Sequence, residues 1–73
     1  MKYEIYKRVK IYSTLDERLD NKLGSLIGIA YNSPYGNGSI LIVQLDEPIQ
    51  IEVDGLNKSI EAICLTEHCL MEF

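Results

Sequence analysis

The sequence has few of the features that anchor a protein in a membrane or export it. No unbroken apolar run exceeds four residues, whereas a helix that spans a bilayer needs about 20. Residues 1–4 mix charges where a signal peptide would be apolar. Two cysteines are too few for a disulfide-rich secreted scaffold. These absences predict a cytoplasmic protein without a membrane partner.

Groups that carry catalysis or hold a metal ion are equally scarce. Cys64, His68 and Cys69 are the only soft ligands, and their spacing supplies at most three of the four that tetrahedral zinc requires. A nucleophilic cysteine–histidine pair also needs an orienting group and an oxyanion site, and no motif marks either. We therefore expect a protein that is not an enzyme and binds no metal or cofactor. Cys64 should face the core and His68 should be exposed.

What the sequence does contain is the composition of a small globular domain. Its 73 residues allow one domain, residues 1–73, and 47% apolar with 25% charged residues is ordinary for a folded chain. Residues 1–22 carry six bases and four acids, whereas the remainder carries Lys58 against seven acids. The net charge of −4 disfavours a nucleic-acid partner, and it either favours a protein partner with basic groups or simply keeps a small cytoplasmic domain soluble.

Alternating hydropathy at the start of the chain predicts a strand. Apolar side chains occupy odd positions and charged ones even positions, which places the two sets on opposite faces. The inward set would be Tyr3, Ile5, Val9 and Ile11. Lys7 interrupts this set, so we expect a bulge, a bend or an edge position there.

Residues 13–22 lose the alternation and predict a loop. Ser13 or Thr14 can cap one helical turn in this loop. Leu15 and Leu19 are four residues apart and would share one face of that turn. A single turn is too short to stand alone, so it depends on the strands around it.

Two strands and a loop between them are predicted next. Residues 23–31 are rich in β-forming residues, and Gly24 and Gly28 predict a bulge or a tight bend within them. Residues 32–38 combine glycine, asparagine and proline and form the strongest turn signal in the chain. Residues 39–45 are almost continuously apolar, so we expect the most buried strand there.

A hairpin is predicted for the second half of the chain. Residues 46–48, an acidic pair followed by proline, should end the buried strand. Residues 49–53 alternate as a half-buried strand, residues 54–58 turn the chain, and residues 59–65 return as the hairpin partner.

The end of the chain should complete an all-β fold. Residues 66–69 predict a short turn or 3₁₀ segment capped by Thr66, and residues 70–73 predict a last short strand. Five to six strands with at most a short helical turn indicate a small antiparallel barrel or a half-open sandwich. Closure is favoured because a flat sheet of this size leaves exposed edges.

Parts of the sequence resemble SH3-like β-barrels, in particular those of the KOW type. Residues 8–11, the polar loop, and Gly24 followed by a small residue and alternating aliphatics are similar to the opening of such barrels. Residues 42–46 resemble their third strand, and residues 63–70 resemble the turn that joins their last two strands. The resemblance covers most of residues 8–72 and implies an SH3-like antiparallel barrel.

The loop over residues 31–38 is the leading candidate for a binding site. Tyrosine supplies a large rigid contact area at small entropic cost. SH3-like barrels commonly bind through aromatic loop residues, so the resemblance points to the two tyrosines of this loop. The candidate partner-binding residues are Tyr31, Asn32, Pro34, Tyr35 and Asn37. The alternative is a hairpin turn whose tyrosines cover the end of the barrel.

A second candidate site combines aromatic and basic residues on the even face of the first strand. Its members are Tyr6, Arg8, Lys10 and Tyr12. Such a set can stack on bases and contact phosphates, as a ligand or nucleic-acid site requires. More often a strand of this kind is solvated or pairs with a neighbouring chain.

Two functions are therefore hypothesised. The first is a non-enzymatic protein-interaction module, an acidic barrel that binds a larger partner. Small acidic single domains of this type resemble inhibitors that phages or mobile elements direct against host defence systems. The second is a barrel that binds a nucleotide-like ligand or a nucleic acid. Edges left at residues 1–12 and 70–73 would favour a homo-oligomer.

Overall fold

Five antiparallel strands form one sheet in the computed structural model, which describes residues 4–36 and 38–73. In chain order the elements are β1 (Arg8–Ile11), β2 (Leu23–Tyr31), β3 (Ile40–Val53), β4 (Leu56–Thr66), a 3₁₀ turn (Glu67–Cys69) and β5 (Leu70–Glu72). The strand order is β4-β3-β2-β1-β5, because β5 returns to pair with β1. The all-β class and the predicted strand number are confirmed, and the sheet is not closed, since β4 and β5 lie at its two edges. No helix in the described ranges is long and apolar enough to cross a membrane.

The core lies on one face of this sheet. Its buried members are Val9, Ile11, Leu26, Leu41, Val43, Leu45, Ile49 and Leu70. They occupy alternate positions of their strands, as the period of a half-buried sheet requires. The predicted inward set is confirmed at Val9 and Ile11, but Ile5 is exposed, and Tyr3 lies outside the described residues.

A tight turn before β1 explains the exposure of Ile5. The Lys7 N–H donates to the Glu4 carbonyl oxygen over 3.1 Å, and Tyr6 adopts a φ of 69°. The bend predicted at Lys7 is therefore present, and it removes the preceding residues from the alternation. β1 itself lies between β2 and β5, so the edge predicted at residues 1–12 is wrong for this strand.

The loop between β1 and β2 contains the predicted turn but not the predicted apolar face. The Leu19 N–H donates to the Asp16 carbonyl oxygen over 3.0 Å, and the Asp16 N–H donates to Thr14 Oγ1 over 3.1 Å. Leu19 packs against the core, whereas Leu15 is fully exposed. Leu15 has a φ of 64°, a left-handed conformation that places it outside the turn.

β3 continues through the segment where we predicted its end. Its register with β4 shifts between Gln44 and Ile49, so that residues 45–48 of β3 lie opposite Glu61 alone. Pro48, which cannot donate to a sheet ladder, falls in this bulge. The acidic pair and the proline therefore bend the strand and do not stop it.

The β3–β4 hairpin closes with a shorter turn than we predicted. Asp54 and Gly55 have φ values of 52° and 76°, the two successive positive values of a type I′ turn. Its geometry matches the twist of the flanking strands, so β4 starts at once, at Leu56. Residues 56–58 are therefore strand and not part of the turn.

The 3₁₀ turn before β5 is confirmed, although its predicted cap is not. The Thr66 side chain caps no backbone N–H of this turn. Cys64 is exposed, contrary to our prediction, because its neighbours Ile63 and Leu65 take the inward positions of β4. His68 is exposed as expected.

Gly24 allows β2 and β3 to approach closely. A Cβ atom on Gly24 would lie 2.5 Å from the Gln44 carbonyl oxygen and 2.7 Å from Val43 Cγ1. Gly28 borders a register shift in the same strand, so the irregularity that we predicted there is present. A Cβ atom on Gly28 would meet Ile42 Cδ1 at 3.4 Å, an ordinary contact distance. There is therefore room for a Cβ atom at position 28 but not at position 24.

This difference predicts opposite effects of two alanine substitutions. Gly24→Ala should lower the free energy of unfolding by about 1–3 kcal/mol, because backbone and side chain of β3 must move. Gly28→Ala, the matched control, should leave stability unchanged or raise it by about 0.5 kcal/mol, because alanine restricts the unfolded chain. Urea unfolding followed by circular dichroism measures both. Equal unfolding free energies for the two variants would contradict the close approach at Gly24.

Candidate partner-binding loop

The loop over residues 31–38 joins β2 to β3 and presents two tyrosines to solvent. The side chains of Tyr31 and Tyr35 are 51% and 89% exposed. Asn32 and Pro34 are exposed as well, and Asn37 lies outside the described residues. The described members of the predicted partner-binding set are therefore all accessible.

A β-turn fixes the apex of this loop. The Gly36 N–H donates to the Ser33 carbonyl oxygen, and the Tyr35 N–H donates to Ser33 Oγ, both over 3.3 Å. Pro34 stands at the second position of the turn, where its fixed φ is already suitable. Gly36 has a φ of 81°, which glycine adopts without steric cost. The turn thereby holds the Tyr35 backbone while its side chain remains in water.

Ser39, which is buried, holds the base of the loop. Its hydroxyl accepts a hydrogen bond from the Ser33 N–H over 3.0 Å and donates to Asn32 Oδ1 over 3.3 Å. Its backbone N–H donates to Glu67 Oε1 over 3.3 Å, and its carbonyl accepts the Glu67 N–H over 2.9 Å. One serine therefore ties the loop to the 3₁₀ turn near the end of the chain. A loop ordered in advance loses less conformational entropy on binding.

The second candidate site has a different environment from the one we predicted. The Arg8 guanidinium donates from Nη1 to Asp46 Oδ1 over 2.8 Å and from Nη2 to Asp46 Oδ2. It also donates to Ser25 Oγ over 2.9 Å and lies 5.9 Å from the centre of the Phe73 ring. Ser25 pairs with both Arg8 and Gln44, so Asp46, two residues beyond Gln44, is on the same face. Sequence reasoning missed Asp46 and Phe73 at this site.

The Asp46 carboxylate neutralises the positive charge of the Arg8 guanidinium, which a bound phosphate would need. Because Arg8 donates hydrogen bonds to Asp46, the pKa of Asp46 lies below its ordinary value and the pKa of Arg8 above it. The two side chains are 42% and 41% exposed, so water screens their attraction. An incoming phosphate would compete with this carboxylate for the same guanidinium.

The other members of the second site do not share a single strand face. Tyr6 is exposed but belongs to the turn before β1, and Tyr12 is half-buried after the end of β1. Lys10 is half-buried and lies opposite Leu23 of β2 and Met71 of β5. Arg8 and Lys10 therefore share one face of β1, Tyr12 follows the end of this strand, where its N–H donates to the Cys69 carbonyl oxygen over 2.9 Å, and Tyr6 lies in the turn that breaks the alternation.

Two of the surface hollows that the described residues form were considered as candidate ligand sites. The larger has a volume of about 260 Å³ and is lined by Asn21, Lys22, Leu23, Asp46 and Glu47. The smaller has a volume of about 110 Å³. Both fall below the roughly 300 Å³ at which small-molecule pockets usually begin. In the part of the chain that the structure describes, no group of three potential metal ligands is present, and both cysteines are free thiols.

Comparison with known proteins adds no second source for these assignments. No protein-family model matches the sequence, and neither a curated protein nor a solved structure is significantly similar to the chain.

The Arg8–Asp46 pair predicts a pH-dependent contribution to stability. The folded-state pKa of Asp46 is lowered, so the pair contributes above the ordinary aspartate pKa of about 3.9 and is lost as the pH falls through the folded value. Asp46→Asn should therefore lower the urea midpoint at neutral pH and have no effect at a pH below both values.

Glu47→Gln is the matched control for this measurement. Glu47 is an exposed neighbour that forms no ion pair within the described ranges. Its substitution should shift the midpoint less than Asp46→Asn at neutral pH. A difference between wild type and Asp46→Asn that stayed constant down to acid pH would contradict the assignment of the pair.

Proposed function

We propose that this chain is a non-enzymatic protein-interaction module that binds a larger protein partner through the loop over residues 31–38. The observation that carries the proposal is Tyr35, which is 89% exposed at the apex of a hydrogen-bonded turn. Tyrosine is enriched among the residues that dominate binding energy, because its ring loses much water-exposed area and its hydroxyl still finds a partner. Ser39 holds the loop in place before any partner arrives.

We further propose that the sheet is the wall of an SH3-like barrel. The order of the strands supports this, since β1 to β4 follow one another and β5 returns beside β1. The 3₁₀ turn between β4 and β5 and the bulge that bends β3 are consistent with it. Such barrels have many functions, so the fold alone does not identify the partner.

The charge of the chain supports a partner with basic groups. The net charge is −4, and Lys58 is the one base after residue 22. Complementary charge steers association and disfavours wrong partners. A phage or mobile-element inhibitor of a host defence protein is a special case of such a module. We place its action in the cytoplasm, where two free thiols remain reduced.

The alternative function, a barrel that binds a nucleotide-like ligand or a nucleic acid, has less support. Arg8 is engaged by Asp46, and Tyr6 belongs to the turn before β1 and not to the strand face that carries Arg8 and Lys10. Binding of nucleic acid through phosphates would weaken as salt is added, which gives this alternative its own test.

Partner capture tests the loop directly. A Tyr31→Ala, Tyr35→Ala double variant should lose the partner that wild type captures from a lysate of its native host, with the dissociation constant raised by roughly 30-fold or more. Tyr6→Ala is the matched control, because Tyr6 is also exposed but lies outside the loop. Quantitative mass spectrometry identifies the partner, and biolayer interferometry with the purified partner measures the constants.

Two results would redirect the assignment. Equal recovery of the same partners by wild type and the double variant would remove the loop from the interface. Loss of binding in Tyr6→Ala alone, together with a salt-sensitive shift on RNA or DNA, would favour the alternative function.

A further inference from the structure

The hairpin beyond the β3 bulge is apolar on one face, apart from Lys58. We call this part, residues 49–60, the arm. Residues directly opposite in an antiparallel pair share a face, and the pairs on this face are Ile49–Ile60, Ile51–Lys58 and Val53–Leu56. The other face carries Gln50, Glu52, Asn57 and Ser59. Val53 and Leu56, at the end of the arm, are 44% and 61% exposed. The arm therefore extends an apolar stripe from the core into solvent.

An apolar groove lies where the arm meets the β1–β2 loop. Its volume is about 110 Å³, and its apolar lining is Leu19, Ile49, Ile51, Ile60 and Ile63. Asp16 and Arg18 also line it, and they are hydrogen-bonded to each other over 2.8 Å. A cavity of about 150 Å³ holds a benzene molecule. This groove is therefore of the size that a branched four-carbon side chain fills.

The same chain displays such a side chain beside the groove. Leu15 is fully exposed and directly precedes Asp16, which lines the groove. Its left-handed backbone, with a φ of 64°, is unusual for a bulky residue. Thr14 holds it there, since its N–H and hydroxyl donate to Asp20 Oδ1 over 2.9 and 2.7 Å. Leu15 is thus a fixed apolar projection that packs against no part of the core formed by the described residues.

Two free charges flank these complementary features. Glu17 and Lys58 form no ion pair in the described part of the chain. Glu17 is two residues from Leu15, a span of at most about 7 Å. Lys58 lies directly opposite Ile51 of the groove, a separation of about 5 Å between Cβ atoms. A leucine seated in the groove would therefore bring its glutamate within reach of the lysine.

We propose that this face binds a second copy of the chain. Leu15 of each copy enters the groove of the other, and Glu17 of each pairs with Lys58 of the partner subunit. A two-fold axis makes every such contact twice, because the projection and the groove belong to one self-complementary surface. This dimer is independent of any role of the loop over residues 31–38.

Analytical ultracentrifugation of the purified chain tests the dimer. Wild type should reach twice its 8.3 kDa mass as its concentration rises. Leu15→Ser should raise the dimer dissociation constant by about 100-fold, because the two-fold axis removes the anchor from both sides. The folded monomer should survive, since Leu15 contributes nothing to the core, and circular dichroism checks this. Ile5→Ser, which removes an exposed aliphatic side chain that lines no part of the groove, should leave the constant unchanged.

Charge reversal tests the arrangement within the dimer. Glu17→Lys and Lys58→Glu should each raise the dissociation constant by about tenfold, because each places like charges together twice. The double variant should return to within about threefold of wild type, since reversing both partners restores an attractive pair. A purely structural effect of either substitution would add to the other and give no such rescue.

Three results would overturn the proposal. The first is a wild type that stays monomeric at every concentration, which would leave the groove to an occupant other than this chain. The second is a Leu15→Ser variant that still dimerises with an unchanged dissociation constant. The third is a double charge variant that fails to dimerise.

Discussion

Burial of one apolar sheet face is the constraint on which the rest of the structure depends. Val9, Ile11, Leu41 and Val43 are completely buried, and they come from strands that are distant in sequence. A chain of about 60 residues buries only about 60% of the surface that it exposes when unfolded. This small core cannot cover every apolar side chain, so the arm and two loops present theirs to solvent. The surfaces that we assign to binding are those exposed parts.

Polar interactions hold the exposed parts in position. Ser39 connects the tyrosine-bearing loop to the 3₁₀ turn, and Thr14 with Asp20 holds the backbone on which Leu15 stands. The Arg8–Asp46 pair connects β1 to β3 across the outer face of the sheet. Because these bonds are at least partly solvated, their stabilising effect is modest, and their main consequence is a defined geometry before binding.

Local signals were sufficient for most of the fold and for part of the candidate site. Alternation predicted the buried Val9 and Ile11, and turn residues predicted the exposed loop with its tyrosines. The errors arose where the local sequence was compatible with two structures. An acidic pair before Pro48 can end a strand or lie in a bulge, and only the register of β4 distinguishes these outcomes. Cys64 can face either side of β4, and its neighbours took the inner one.

The sequence by itself determined the all-β class, the approximate strands and the loop that carries Tyr35, because side-chain period and turn chemistry act between near neighbours. Tertiary structure alone decided that Asp46 meets Arg8 and that Leu15 stands outside the core beside an apolar groove. These juxtapositions depend on strand register and on left-handed backbone at single residues. Neither property produces a periodic pattern of hydropathy in the sequence, because each is determined by the packing of segments that are distant along the chain.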